Sequence, residues 1–248
     1  MKGNIILLAT FAALFLSACD AGDIKDGGYS VKDNGKVVKL TARVSGVTVW
    51  DNGCSVALAG FSKGDNYAVM QRVLPVSTVD GTEVTLLLNN LTDQIETVEL
   101  AITNNLRKRI ITLESINLSD YGQSRDTIRM ELGTIDLSVF GVLQRGLFDV
   151  ACIQCHGGNG RSAAGLDLTE PHAFANLVDV ASSRKEGMYR VVSGAPEQSL
   201  LLQLLNEGGE DILSYNHAEV VGSQFRSNQD EVRNLVGEWI GSLRGAAK

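Results

Sequence analysis

Apolar and polar residues alternate with a period of two from Lys36 onwards, as expected for strands with one buried face. The apolar positions of the first such stretch are Val38, Leu40, Ala42 and Val44, and the pattern continues through Val47 and Val49. Further stretches cover residues 55–61, 67–74, 83–88, 95–102, 109–113 and 127–137, with turn formers such as Asp80-Gly81 between them. This predicts an all-β antiparallel sandwich over residues 36–139, immunoglobulin-like or fibronectin-like in shape.

The second half of the chain has a helical period instead. Apolar residues lie on one face of a predicted helix between Val142 and Ala151. Residues 171–180 and 199–205 are two further predicted helices. Near the end of the chain, after Ser227 as a candidate N-cap, an apolar stripe recurs at helical spacing. The stripe consists of Val232, Leu235, Val236, Trp239 and Ile240.

The first residues are typical of an export signal. Lys2 precedes an apolar run over residues 5–16, and Leu16-Ser17-Ala18-Cys19 resembles a bacterial lipobox. We therefore predict a lipoprotein signal peptide over residues 1–18, lipid on Cys19, and a polar tether over residues 19–35. A plain secretory cleavage site is the alternative. The predicted location is a membrane-anchored position facing the periplasm, with inner membrane, outer membrane and cell surface left open.

Charge and cysteine content narrow the classes of partner. The net charge of -7 argues against nucleic acid and against adsorption to anionic lipid. After the signal, no apolar run is long enough for a transmembrane helix. Cys54 lies in an alternating apolar stretch, which predicts a buried structural thiol, and no disulfide is expected.

The chemistry is concentrated in Cys152-Ile153-Gln154-Cys155-His156. This Cys-x-x-Cys-His spacing is the attachment signature of c-type haem, in which two thiols add to the two vinyl groups and the imidazole ligates the iron. A zinc site would need a second cluster of ligands, and a thioredoxin-like site would need a βαβ setting. The predicted cofactor is one covalent haem c, attached through Cys152 and Cys155, with His156 as the proximal axial ligand.

The sequence around the motif resembles monohaem class I cytochrome c domains. The resemblance rests on Phe148, four residues before the first cysteine, and on a series of short segments in the same order. These are Gly165-Leu166-Asp167-Leu168, Ala175-Asn176-Leu177-Val178, Arg190-Val191-Val192-Ser193-Gly194-Ala195-Pro196, Ser199-Leu200-Leu201 and Trp239-Ile240. It covers residues 142–246 and implies an all-α cytochrome c domain over residues 140–248, with the first and last helices packed together.

One departure from this family concerns the sixth iron ligand. Family members carry a Met-Pro segment before the last helix, but residues 206–227 contain no methionine and do contain His217. The resemblance therefore implies His217 as the distal axial ligand, with Met188 as the alternative. His172 and an open iron site are the remaining interpretations. The candidate contacts for haem propionates are Arg161, Tyr189 and Arg190.

A six-coordinate iron without a vacant position exchanges electrons. We therefore predict a membrane-tethered monohaem c-type cytochrome that acts as an electron carrier, without catalytic residues. Its expected partner is a redox protein in the periplasm or at the cell surface. The alternatives are a partner-binding or haem-sensor module, and a haem enzyme with an open iron site, which would need distal acid–base groups.

Overall fold

The computed structural model describes residues 35–50, 53–122, 126–160 and 162–244. Strands form the first half of these residues. The strands within these residues are β1 (Lys36–Ser45), β2 (Cys54–Phe61), β3 (Ala68–Val73), β4 (Thr82–Leu91), β5 (Thr97–Asn104), β6 (Arg109–Asn117) and β7 (Thr127–Asp136). Each lies within a few residues of a predicted strand. The exception is Val47–Val49, which forms a short 3-10 helix after Gly46 in the left-handed region (φ 73°).

The strands form two sheets, with the orders β4-β1-β7 and β3-β2-β5-β6. All pairs of the four-stranded sheet are antiparallel, and β1 also pairs antiparallel with β4. However, β1 pairs parallel with β7, with Val38 opposite Ile128. The prediction of a purely antiparallel sandwich is therefore wrong. The reason is that β7 re-enters the first sheet only after the chain has completed the second, and such a long connection permits parallel pairing.

After β7 the chain forms short helical segments. Those in the described residues are α1 (Val139–Leu143), a π-helical segment (Gln144–Cys152), α2 (Ile153–His156), α3 (Ala173–Leu177), α4 (Leu200–Leu205), α5 (Glu210–Leu213), α6 (His217–Phe225) and α7 (Gln229–Ser242). The longest, α7, has 14 residues and buries the whole predicted apolar stripe. Between α3 and α4 the backbone makes isolated bridges, such as Val178 with Val191, rather than helix.

These segments do not constitute a full all-α cytochrome c domain, so this part of the predicted fold class is also wrong. The predicted helix over residues 171–180 shortens to Ala173–Leu177, and the run at residues 199–205 gives a helix of only six residues. The first of these helices ends early because Val178 is extended (ψ 123°) and Asp179 has a left-handed backbone conformation (φ 54°).

Strands and helices share one hydrophobic core and belong to one compact unit. Trp50, buried after β1, donates its indole N–H to the carbonyl of Leu137 over 2.6 Å, which ties the beginning of the sheet to its end. In the helical part, the rings of Phe140 and Trp239 lie 5.3 Å apart between centroids, so that α1 contacts α7. The two halves therefore depend on each other for burial of apolar surface.

One close contact between the two halves is that of the π-helical segment with β6. A Cβ atom placed on Gly146 would lie 2.6 Å from Cδ1 of Ile111 and 3.2 Å from the carbonyl oxygen of Thr112. Beside it, the Nε of Arg145 donates to the carbonyl of Leu113 over 3.0 Å. Only glycine allows the segment to approach the strand this closely.

We expect Gly146→Ala to lower the free energy of unfolding by about 1–3 kcal/mol, because the added methyl group overpacks the contact with Ile111. This effect is opposite in sign to the usual gain in helix propensity from alanine. Chemical denaturation followed by circular dichroism measures it.

Gly237→Ala is the matched control, since its Cβ would meet nothing closer than Cδ2 of Leu202 at 3.7 Å. That variant should be unchanged or more stable by about 0.4–1 kcal/mol. Equal destabilisation of both variants would contradict the proposed packing.

Candidate functional site

A cleft of about 650 Å³ opens beside the Cys-x-x-Cys-His motif. This volume is in the usual range for sites that hold a small molecule or a cofactor. Aliphatic side chains form most of its wall: Leu166, Leu168, Leu177, Leu200, Leu201, Leu204, Leu205, Ile212 and Leu213. The chemistry-bearing residues Cys152, Cys155, His156 and His217 line the same cleft. The structure thus brings these four sequence-predicted site residues together.

The π-helical segment and α2 present the motif to the cleft. At the start of that segment the buried Gln144 donates its amide to Asp149 over 2.8 Å and to the carbonyl of Leu168 over 2.9 Å, which fixes the segment. His156 closes α2, and its Nδ1 lies 3.0 Å from the carbonyl oxygen of Ala163. A carbonyl oxygen only accepts, so Nδ1 carries the proton and Nε2 keeps its lone pair.

His217 approaches the cleft from the first turn of α6. Asn216 caps this helix by accepting a hydrogen bond from the N–H of Glu219 over 2.8 Å. The Nδ1 of His217 lies 3.2 Å from the carbonyl oxygen of Tyr215, which assigns the same tautomer as in His156. The ring of Tyr215 packs edge-on against the imidazole at a centroid distance of 4.9 Å. The Nε2 of His217 therefore also keeps its lone pair and can bind a metal.

The two imidazoles are arranged as a pair. Their ring centroids are 6.5 Å apart and their planes differ by only 16°. A metal–imidazole bond is about 2 Å long and the ring centre lies about 1 Å behind the bound nitrogen, so two imidazoles on opposite sides of one metal have centroids about 6 Å apart. The observed separation of 6.5 Å is close to this value.

The environment keeps both rings in the metal-binding form. Burial lowers the pKa of His156 and of His217 below the ordinary value, although the hydrogen bonds to backbone carbonyls act in the opposite direction. The nearby imidazole further lowers the pKa of His217. Because the pKa values are lowered, both rings are neutral at neutral pH, and neutral imidazole is the form that ligates metals.

The two motif cysteines differ in their surroundings. Cys155 is exposed, whereas Cys152 is partly buried, and burial together with the nearby Cys155 and Asp149 raises the pKa of the Cys152 thiol to about 12. Cys54, predicted to be buried, is partly buried at the first residue of β2, and burial raises the pKa of its thiol.

The other candidate ligands lie elsewhere. Met188 is in the turn before Tyr189 and does not line the cleft. His172 is at the start of α3, where its Nδ1 lies 3.3 Å from a carboxylate oxygen of Asp167. Cys19 and Arg161 lie outside the described residues.

Of the predicted propionate contacts, Arg190 lines the cleft and Tyr189 does not. The guanidinium of Arg190 donates to the backbone carbonyls of Asn176, Ala164 and Gly165 over 2.8 to 3.2 Å. It therefore clamps the loop that follows the motif, next to the carbonyl of Ala163 that orients His156.

The carbonyls of Ala163 and Tyr215 are functional groups that the sequence analysis missed. Every residue has a carbonyl, so no side-chain pattern could have indicated them. The aliphatic wall from α4 was signalled by its leucine run, but a buried helix of any kind would have the same signal. Arg184, also on the cleft, was missed because it is one of many charged surface residues.

The residues present fit a haem. Within the described residues, no group of three or more His, Cys, Asp or Glu side chains could hold a metal ion. A porphyrin supplies four of the iron ligands itself, so the protein need provide only axial groups, and His156 and His217 are the two candidates for that role on the cleft. The described helices include none long and apolar enough to cross a membrane.

Comparison with known proteins leaves the family open. No family model matches this chain, and searches of curated proteins and of solved structures also give no match. The assignment of a function therefore depends on the geometry of the cleft.

In haem-free protein, Cys152 should react with an alkylating agent more slowly than Cys155, because only the thiolate is nucleophilic and a pKa of about 12 leaves Cys152 protonated at neutral pH. The rate at Cys152 should rise about tenfold for each unit of increasing pH below that pKa. Peptide mass spectrometry after timed alkylation measures both rates. Equal rates at neutral pH would show that Cys152 is not protected.

Proposed function

We propose that this chain is a c-type haem protein that carries electrons. Cys152 and Cys155 would hold one haem through thioether bonds, and His156 and His217 would be its two axial ligands. The observation that carries this proposal is the pair of nearly parallel imidazoles, 6.5 Å apart, on the cleft that both motif cysteines line.

The bound haem would supply an iron that alternates between the ferric and ferrous states, accepting and releasing one electron. The protein residues would hold and tune it. His156 and His217 present neutral Nε2 atoms fixed by backbone hydrogen bonds, as is usual for imidazole ligands of metals. The aliphatic wall would place apolar side chains beside the haem, and two imidazoles rather than His and Met would favour a lower reduction potential.

Export and a redox partner complete the proposal. Thioether attachment of haem takes place outside the cytoplasm, which agrees with the export signal that we predict from the sequence. We propose that lipid on Cys19 tethers the protein to a membrane on the periplasmic side, and that it exchanges electrons with another redox protein there. The net charge of -7 favours a partner with a basic docking surface.

His217→Ala tests the axial pair. The native ferric iron should have the absorption and electron paramagnetic resonance spectra of low-spin iron with two imidazoles, and the variant should become high-spin because one ligand is lost. Met188→Leu and His172→Ala are the controls and should keep the native spectrum. A sulfur-to-iron absorption band in the native protein, lost in Met188→Leu, would contradict the axial pair.

Carbon monoxide and cyanide test the electron-carrier role separately. With both axial positions occupied, the native ferrous protein should bind carbon monoxide slowly and the ferric protein should bind cyanide slowly, while His217→Ala should bind both readily. Rapid binding by the native protein would instead favour a haem sensor or a haem enzyme with an open iron site.

A further inference from the structure

A buried carboxylate in the sheet has no part in the proposed haem site. Glu99, on the central strand β5, is only 4% exposed. One carboxylate oxygen accepts hydrogen bonds from Nη1 of Arg109 over 2.5 Å and from the hydroxyl of Thr97 over 2.9 Å. The other accepts from the hydroxyl of Thr112 over 2.7 Å. A carboxylate so buried needs such partners, so Glu99 holds Arg109 in one position.

Arg109 extends the network to the edge of the sheet. Its guanidinium lies over the ring of Phe61 at 4.5 Å from the centroid, which further restricts it. Its Nη2 donates to Oδ1 of Asn66 over 2.8 Å. The amide of Asn66 then donates to the hydroxyl of Ser227, in the helical half of the molecule. A continuous chain of hydrogen bonds thus links Glu99 to Ser227.

Ser227 follows the C-terminal end of α6, the helix that begins with His217. It lies in the 3-10 turn Arg226–Asn228 that joins α6 to α7. The adjacent Lys108 of the sheet also pairs with Glu231 on α7. Because α6 has nine residues and rises about 1.5 Å per residue, its anchored end is only about 13 Å from the imidazole at its other end.

The segment that carries the other imidazole, that of His156, packs on β6, the strand that also contains Arg109. The π-helical segment that leads to His156 packs through Gly146 on Ile111 of β6, and Arg145 binds the carbonyl of Leu113 and the carboxylate of Glu114, each over 3.0 Å. Strand β6 therefore contacts the π-helical segment that leads to His156, and through Arg109 and Asn66 it is linked to the turn that follows α6.

We propose that Arg109, held by Glu99, is a positioning residue for His217: through Asn66 and Ser227 it fixes the end of α6 and so the place of the His217 imidazole opposite His156. This inference rests on the proposed function, because it assigns a role to residues that act on the second axial ligand. It also gives the β-sheet a function, which is to hold the two ligands at a constant separation.

Asn66→Ala tests the link, because it breaks the contact with Ser227 and leaves the Glu99–Arg109 ion pair intact. In the holo-protein, the ferrous iron should bind carbon monoxide between about twofold and thirtyfold faster than in the native protein, because α6 can move away more often. Asn66→Asp should restore the native rate, since a carboxylate accepts from Arg109 and from the hydroxyl of Ser227.

Gln71→Ala is the matched control. Gln71 lies in the same sheet and accepts a hydrogen bond from the hydroxyl of Thr103 over 3.2 Å, without a link to α6. It should lower thermal stability without changing the rate of carbon monoxide binding. If Asn66→Ala behaves in the same way as Gln71→Ala, the network is only structural and the inference is overturned.

The same measurement on His217→Ala separates this inference from the proposed function. Faster binding in His217→Ala with no change in Asn66→Ala would overturn the positioning role alone. No change in His217→Ala would show that His217 is not the ligand, which would overturn both.

Discussion

The burial of short helices on a shared core is the constraint on which the rest of this structure depends. Helices of five to nine residues, such as α3, α4 and α6, are not stable by themselves in water. They persist here because their apolar sides join a core that continues from Val38 in the sheet to Ile240 in the last helix. The close contact of Gly146 with β6 is one example of this dependence.

This constraint explains how the site can be built from segments far apart in the chain. His156 and His217 are each at the end of a short helix, and neither helix could hold an imidazole in place through its own stability. Local hydrogen bonds to Ala163 and Tyr215 set the orientation of each ring, and packing on the sheet sets the distance between them. The orientation of each imidazole thus depends on neighbouring residues in the chain, while the distance between the two imidazoles depends on tertiary packing.

The same distinction decides what could be predicted from the sequence. The strands were predictable because alternation reports which face of a strand is buried. The parallel pairing of β1 with β7 was not, because alternation is the same in parallel and antiparallel sheets. The helix predicted over residues 171–180 was too long, because the apolar pattern does not reveal that Val178 is extended and that Asp179 has a left-handed backbone conformation.

For the site, the motif and the position of His217 were visible in the sequence, and the structure places them on one cleft. The elements that hold them were not visible. Glu99 and Arg109 look like ordinary strand residues until their burial and their hydrogen bonds are known. An electron carrier benefits from ligands whose positions change little with the charge of the metal, since preorganised groups need not move during the reaction. In the proposed carrier, the contacts of both helical segments with the sheet would provide that constancy, which neither short helix could provide alone.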